Sequence, residues 1–421
     1  MKIQTIKKNG KTIYKTKVWI GSGELERVQK RFSAESKAEL KKLIADAESK
    51  HEDIKRLVEG SDVSLGELMK EWLPIHSSNE ELAPATVMTH RHHIYKNLLV
   101  APIHKKQIND ITRKDIEGFH AFLKQERKLG TRSVQSCHAT IRAGMNWALS
   151  HNRVIHNPFM STKAPSKKRT TRRSQNSIDR TRIISRDLWS RFYSKIREDF
   201  DLSIKRNDYF DKQRDQVTYT ALFTTYLTGM RPEETLGLTW KDIDFKKKII
   251  IIKNAVTETK EGDIATAENI KDLKSKIILK GTKTGEERQI TMGKILETNL
   301  RIYKELADEY WADNKFNNEH DVLFPTPYGD LMSVKVLSQR FKNVLREVGN
   351  SFEQNHVLYD LRHTHASELI DMGNDIVKIS NRLGHTSPVT TLSFYAHLIP
   401  NKDIEMIDSY EESLMDSLNH G

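Results

Sequence analysis

Two hydrophobic periods alternate along the chain, and the places where one gives way to the other mark its parts. Ile3 and Thr5, the turn pair Asn9-Gly10, then Thr12, Tyr14, Lys15, Val18 and Trp19 read as a β-hairpin, with Gly21-Ser22-Gly23 opening a second turn. From Ser33 to about Glu59 the period becomes helical. Ser33 is the expected cap, and Leu40, Leu43, Ile44 and Ala47 share one face. Residues 61–160 are helical throughout. Ser64-Leu65-Gly66-Glu67 has capping character ahead of Leu68, Met69, Trp72 and Leu73. Ala83-Pro84-Ala85-Thr86 breaks the run, and Val134, Cys137, Ile141, Met145 and Ala148 mark a later helix face. Residues 161–183 bury almost nothing. Beyond them, in 184–421, helical patterns flank a β-rich middle at 248–252, 275–279 and 288–290. The expected fold is multidomain α+β: a small N-terminal β-sheet with one helix (1–60), an all-α domain (61–160), a linker (161–183), and a mixed, mainly helical domain with a small β-sheet (184–421).

Charge sharpens this picture. The 421 residues carry a formal net charge of +12, with a pI near 9.4, which favours an anionic partner, nucleic acid first. The excess is not spread evenly. Up to Arg31 there are nine Lys and Arg against Glu24 and Glu26. Residues 161–183 hold eight Lys and Arg and a single acid, Asp179. That composition makes a linker, and Lys167, Lys168, Arg169, Arg172 and Arg173 suit a strap along a phosphate backbone, where each neutralised phosphate releases counterions. On the N-terminal hairpin, Lys15, Lys17 and Trp19 are the candidates for laying a strand face against a DNA groove. One cysteine, Cys137, excludes an intramolecular disulfide and a cysteine-rich zinc site. With no apolar signal core and no membrane-length apolar run, the chain is expected to be cytoplasmic, with no membrane partner.

Candidate chemistry sits in four stretches of the last domain. In TGMRPEETLGLTW, Arg231 stands at a helix entrance opened by Pro232, with Glu234 three residues on to hold the guanidinium. In LKGTKTGEERQIT, Lys283 lies between Gly281 and Gly285 on a hairpin tip; a phosphate-binding P-loop is ruled out because its Gly-Lys-Ser/Thr ending is missing. LYDLRHTHASELI carries Arg362, and NRLGHTSPVTTLSFYAHL carries His385 and Tyr395. Singly, each has a bland reading as salt bridge, solvated lysine or core tyrosine. Together they form a kit for phosphodiester chemistry without metal. Attack on phosphorus builds negative charge that paired guanidinium hydrogen bonds stabilise. A phenol, with an ordinary pKa of about 10, needs a base or a strongly positive site before it attacks, and the leaving sugar oxygen needs a proton.

In this order the four stretches resemble the tyrosine recombinase (phage integrase) family, over about 184–400, through LTGMRPEE, the GTKT hairpin, DLRHTHAS and LGHTS…TLSFYAH. The resemblance implies that Arg231 and Arg362 bind the scissile phosphate, with Glu234 supporting the first of them. It makes Lys283 the general acid toward the 5′-hydroxyl and His385 a hydrogen-bond donor to the phosphate. Tyr395 becomes the nucleophile that forms a 3′-phosphotyrosyl link. It further implies no cofactor and no metal, and an arm-site module (1–60) and a core-site domain (61–160) on double-stranded DNA. A homotetramer on DNA is implied too, with accessory DNA-bending or directionality proteins, in the integration and excision of a bacterial mobile element such as a prophage or conjugative transposon.

One position departs from the family pattern. Histidine usually stands three residues before the second arginine, where this chain has Tyr359, which can hydrogen-bond but is a poor base near neutral pH. His363 and His365, two apart on a helix, point to different faces and lack a zinc-like third partner. They are expected to be structural, His363 packing beside Arg362 and His365 facing neighbouring helices. His90, His92 and His93 are expected to face solvent or phosphate. Two other functions use related parts. A type IB topoisomerase-like relaxing enzyme lacks the basic three-part N-terminal layout, and a non-catalytic DNA-binding regulator of this fold has no need of the nucleophile.

Overall fold

The structure, a computed structural model, describes residues 3–8, 11–20, 28–58, 63–78, 82–166, 182–206, 208–262, 264–267, 271, 273–282, 285, 287–313, 316–349, 356–395, 407–408, 410–412 and 415. Outside them lie the expected turns at Asn9-Gly10 and Gly21–Gly23, the linker residues Lys167, Lys168, Arg169, Arg172 and Arg173, the hairpin residue Lys283 and most of the acidic tail. The chain divides into two compact units, one of 1–168 with 260–274, the other of 169–259 with 275–421.

In the first unit, β1 (Ile3–Lys8), β2 (Lys11–Ile20) and β3 (Val28–Ala34) pair antiparallel with β2 central. Alternation along β2 decides its faces. Thr16 and Ile20 are buried on the side of helix α1 (Lys37–Val58), whose Leu40 and Ile44 complete a small core with Ala34. Lys15, Lys17 and Trp19 point the other way and are exposed, Trp19 by 56%. Ser33 is not the cap expected of it. It lies in β3 opposite Lys15, and the Ser36 hydroxyl accepts from the Glu39 amide (3.1 Å) at the true helix start. The pattern missed β3 because its polar residues belong to the exposed face of the sheet.

The unit continues with α2 (Leu65–Ser77), α3 (Pro84–His92), α4 (Arg113–Gln125), α5 (Thr131–Ser150) and the short α6 (Pro158–Ser161). Ser64 and Glu67 form the capping box read from the sequence. Leu68, Trp72, Ile141 and Met145 lie in one apolar core, joined by Ile264 and Ala265. Buried Arg91 donates to the carbonyls of Ala265 (3.1 Å) and Ala267. The His90 and His93 rings do not face solvent: both meet the Thr140 hydroxyl, at 2.9 and 2.7 Å, and only His92 of the three is exposed.

The second unit holds α7 (Arg186–Ile204), α8 (Tyr209–Thr228), α9 (Pro232–Leu236), β4 (Ile243–Asp244), β5 (Ile249–Ile252), β6 (Asn254–Lys260), β7 (Ser275–Gly281) and β8 (Arg288–Thr291). There follow α10 (Lys294–Asp313), α11 (Val334–Glu347), α12 (Asp360–Asp371), α13 (Ile376–Leu383) and α14 (Pro388–Tyr395). Strands β4, β5 and β8 form one antiparallel sheet, and β6 pairs with β7. Helix α8 is buried nearly all round over its second half. Among its buried threonines, Thr220, Thr225 and Thr228 donate to the carbonyls four residues back, while the Thr224 hydroxyl has no partner.

Candidate active site

Helix ends build the site. Helix α8 stops at Gly229, whose φ of +67° places it in the left-handed region that glycine tolerates. A Cβ there would lie 2.5 Å from the His365 ring. Two residues on, Arg231 is the N-cap of α9 with Pro232 at its first position, the entrance the sequence suggested. Glu234 accepts from the Arg231 amide (3.0 Å) and from its Nη1 (2.8 Å).

Glu234 has a second cationic partner that the sequence reading did not single out. Arg288, the first residue of β8, donates from Nη1 and Nη2 to both carboxylate oxygens, at 3.0 and 2.5 Å. Burial would raise the Glu234 carboxyl, but Arg288 and Arg231 outweigh it and hold the group at about 2. Arg288 lies within the quoted LKGTKTGEERQIT stretch, so its position was visible and its partner was not.

Arg362, in the first turn of α12, is 1% exposed. Its guanidinium donates to the Gly229 carbonyl (2.8 Å) and the Leu383 carbonyl (2.7 Å), at the C-terminal ends of α8 and α13. Those ends carry the partial negative charge of the helix dipoles, which compensates a cation withdrawn from water. Burial first, and then Arg231, lower Arg362 to about 10, so it remains charged at neutral pH.

Gly384, at φ +68°, closes α13 and delivers His385 beside Arg362. His385 Nε2 accepts from Arg362 Nη2 at 3.1 Å, and its Nδ1 donates to the Thr391 hydroxyl at 2.8 Å. Burial, reinforced by Arg362, Arg231 and Arg288, pulls His385 down to about 4.

Tyr395 ends α14 and is 2% exposed among Ala366, Ile370, Ile379 and Leu383. Burial pushes its phenol well above the ordinary tyrosine value, beyond what Arg362 draws back. Its hydroxyl lies 2.7 Å from Nδ1 of His363. This corrects the expectation for His363, which does more than pack beside Arg362. Helix spacing alone gave no sign of it, because the partner arrives from a different helix. His365 behaves as expected: it is buried and accepts from Arg382 Nε at 3.1 Å.

The structure thus brings together Arg231, Glu234, Arg362, His385 and Tyr395, and adds Arg288, His363 and Thr391. Tyr359, just ahead of α12, is 36% exposed, with its ring edge-on to His363 (5.1 Å between centroids) and the Arg362 guanidinium 6.0 Å from its ring. Strands β7 and β8 precede and follow Lys283 in the chain but lie in different sheets, β7 paired with β6 and β8 with β5, so they do not form the hairpin expected of them, and Lys283 itself lies outside the described residues. Among the described residues no group of three or more His, Cys, Asp or Glu could hold a metal ion.

Residues 207–402 match the phage integrase family. A XerC-like tyrosine recombinase of Caldanaerobacter subterraneus subsp. tengcongensis is 23% identical over 96% of this chain and 97% of its own. The ICEBs1 integrase of Bacillus subtilis is 31% identical over 48% of this chain and 50% of its own. Among solved structures, the Tn1549 transposon integrase in complex with transposon right end DNA superposes with a TM-score of 0.61 at 17% identity, over 83% of this chain and 99% of that one. A lambda integrase tetramer bound to a Holliday junction gives 0.53 at 16% identity, over 85% and 90%.

Proposed function

The chain belongs to the phage integrase family of tyrosine recombinases, and from that membership we propose that it cleaves and rejoins DNA site-specifically through Tyr395. The observation that carries the assignment of the site is one connected cluster. Two cationic guanidiniums, Arg231 and Arg362, stand with His385 beside a phenol whose hydroxyl is already hydrogen-bonded.

In this mechanism the scissile phosphate binds Arg231 and Arg362, and Tyr395 Oη attacks phosphorus. Charge developing on the non-bridging oxygens is stabilised by guanidiniums that Glu234 and the two helix-end carbonyls hold in place before DNA arrives. Lys283 protonates the departing 5′-oxygen. The 3′-phosphotyrosyl bond keeps the energy of the broken linkage, so a 5′-hydroxyl from another strand reseals it without ATP. As arranged, His385 accepts at Nε2, and an anionic phosphate close by favours the protonated form that donates to it.

The exposed face of the N-terminal sheet, with Lys15, Lys17 and Trp19, supports reading 1–60 as an arm-site module. Residues 61–160 are proposed as the core-site domain, 161–183 as a basic strap carrying Lys167, Lys168, Arg169, Arg172 and Arg173, and 184–421 as the catalytic domain. A tetramer on DNA and a cytoplasmic setting in a bacterium that carries a mobile element complete the reading. The lambda integrase tetramer and the Tn1549 complex among the similar structures support it, and no helix among the described residues is long and apolar enough to cross a membrane.

A nicked suicide duplex bearing the element's own ends tests the assignment. The protein should form a covalent DNA adduct on a denaturing gel, and Tyr395→Phe should abolish it while retaining DNA binding. An adduct that survives in Tyr395→Phe would overturn the nucleophile.

A further inference from the structure

We propose that His363 is a catalytic residue, the group that takes the proton from Tyr395 as its hydroxyl attacks the phosphate. The proposal rests on reading Tyr395 as the nucleophile. It bears on Tyr359, the position at which the sequence departs from the pattern of the family it resembles.

Three observations carry it. The His363 Nδ1 to Tyr395 hydroxyl distance of 2.7 Å is already within reach for proton transfer. The imidazole is also fixed. It sits in the first turn of α12, one residue after the pinned Arg362, with the Tyr359 ring packed edge-on against it and its own carbonyl accepting from Ser367 Oγ at 2.8 Å. Finally, the other imidazole of the site is occupied, since both ring nitrogens of His385 are bonded to Arg362 and Thr391.

The surroundings keep His363 neutral. Burial brings it down to about 4, with Asp360 opposing and Arg362 and Arg182 assisting. The titratable and charged groups around it are therefore Asp360 and Arg362 on its own helix, Arg182 ahead of α7, His385 after α13, and the phenols Tyr359 and Tyr395. In the Nε2–H tautomer its Nδ1 lone pair receives the Tyr395 hydroxyl proton. A phosphate seated on Arg231 and Arg362 offsets the Arg362 charge that adds to the effect of burial, and so raises the basicity of His363.

The Tyr395 O–H bond breaks and its proton passes to Nδ1, the Oη–P bond forms, and the P–O5′ bond breaks with its electron pair leaving on the 5′-oxygen, which takes a proton from Lys283. On rejoining, the incoming 5′-hydroxyl returns its proton to Lys283 and His363 returns its own to Tyr395.

The test uses the full chain and the suicide duplex in two forms, one with the natural phosphate and one with a 5′-bridging sulfur whose leaving group needs no acid. His363→Gln should bind DNA normally and cleave about 100-fold or more slowly. Sulfur should leave that defect in place while rescuing Lys283→Ala. The wild-type rate should rise with pH and level off, and the Gln variant should lose that limb. Should Gln impair binding, His363→Ala with added free imidazole replaces it, and recovery of cleavage supports the proposal. Cleavage by His363→Gln within threefold of wild type, rescue of its defect by sulfur, or no recovery of the Ala variant with imidazole would overturn it. A covalent adduct in Tyr395→Phe would instead remove the reading beneath it.

Discussion

At residue level, two contacts of the site join separate elements: the Tyr395 hydroxyl meets His363, and Glu234 meets Arg288. Arg231, Arg362, His385 and Tyr395 lie in stretches whose local pattern carries their chemistry, and the fold assembles them. His363 and Arg288 lie in the same stretches but act through partners 32 and 54 positions away, so no local spacing could give them a role. Tyr359 adjoins the same pair through His363. Its ring, 36% exposed, packs edge-on against His363 from one side, and phenols in general are poor proton acceptors near neutral pH. Tyr359→Phe keeps the ring and removes only the hydroxyl. Single-turnover cleavage by Tyr359→Phe should therefore fall less than about tenfold, well short of the loss in His363→Gln. A deeper loss in Tyr359→Phe would move the proton acceptor to that phenol.

Among the elements, the proposed active site is a meeting of ends. The starts of α9 and α12 contribute Arg231 and Arg362, the stops of α8 and α13 contribute the carbonyls that hold Arg362, and α14 delivers Tyr395. Glu234 ties this frame to the sheet, because one buried carboxylate serves Arg231 on α9 and Arg288 on β8. Glu234→Gln keeps the shape and removes the charge, leaving two guanidiniums without their counter-ion. Breaking a buried pair from one side costs about 3–5 kcal/mol. The expected result is a markedly lower denaturation midpoint for the second unit, together with slower cleavage as Arg231 loses its anchor; an unchanged midpoint would show that the pair is dispensable. Elements were legible where period and caps agree, as at Ser64-Glu67 and Arg231-Pro232. They were not where a strand lies with one polar face outward, as β3 does, so that Ser33 looked like a cap although it is a strand residue paired with Lys15.

For the molecule as a whole, the excess positive charge that pointed to DNA has a counterpart inside. Buried and half-buried histidines are held neutral in both units: His93 and His120 at about 4 in the first, and half-buried His363, buried His365 and half-buried His385 at about 4, 3 and 4 in the second, loss of solvent being the main cause each time. A histidine depressed in the folded state is neutral in both states above its unfolded value of about 6.5, and there it costs nothing. Below that pH the unfolded chain gains a proton that the folded chain refuses, so stability falls as pH drops from about 6.5 toward about 4. The slope is up to about 1.4 kcal/mol per pH unit for each such group. Glu234, held at about 2, stays ionised across this window, and Glu368, raised by burial, works in the opposite direction as a single group. Thermal melts at constant ionic strength should therefore show a melting temperature that changes little from pH 8 to 7 and drops steeply from 6.5 to 5. His365→Asn should flatten part of that drop in the second unit, provided the folded state tolerates the amide beside Arg382. A melting temperature independent of pH between 7 and 5 would contradict the neutral state of these rings, and with it the free lone pair that His363 needs to receive the Tyr395 proton.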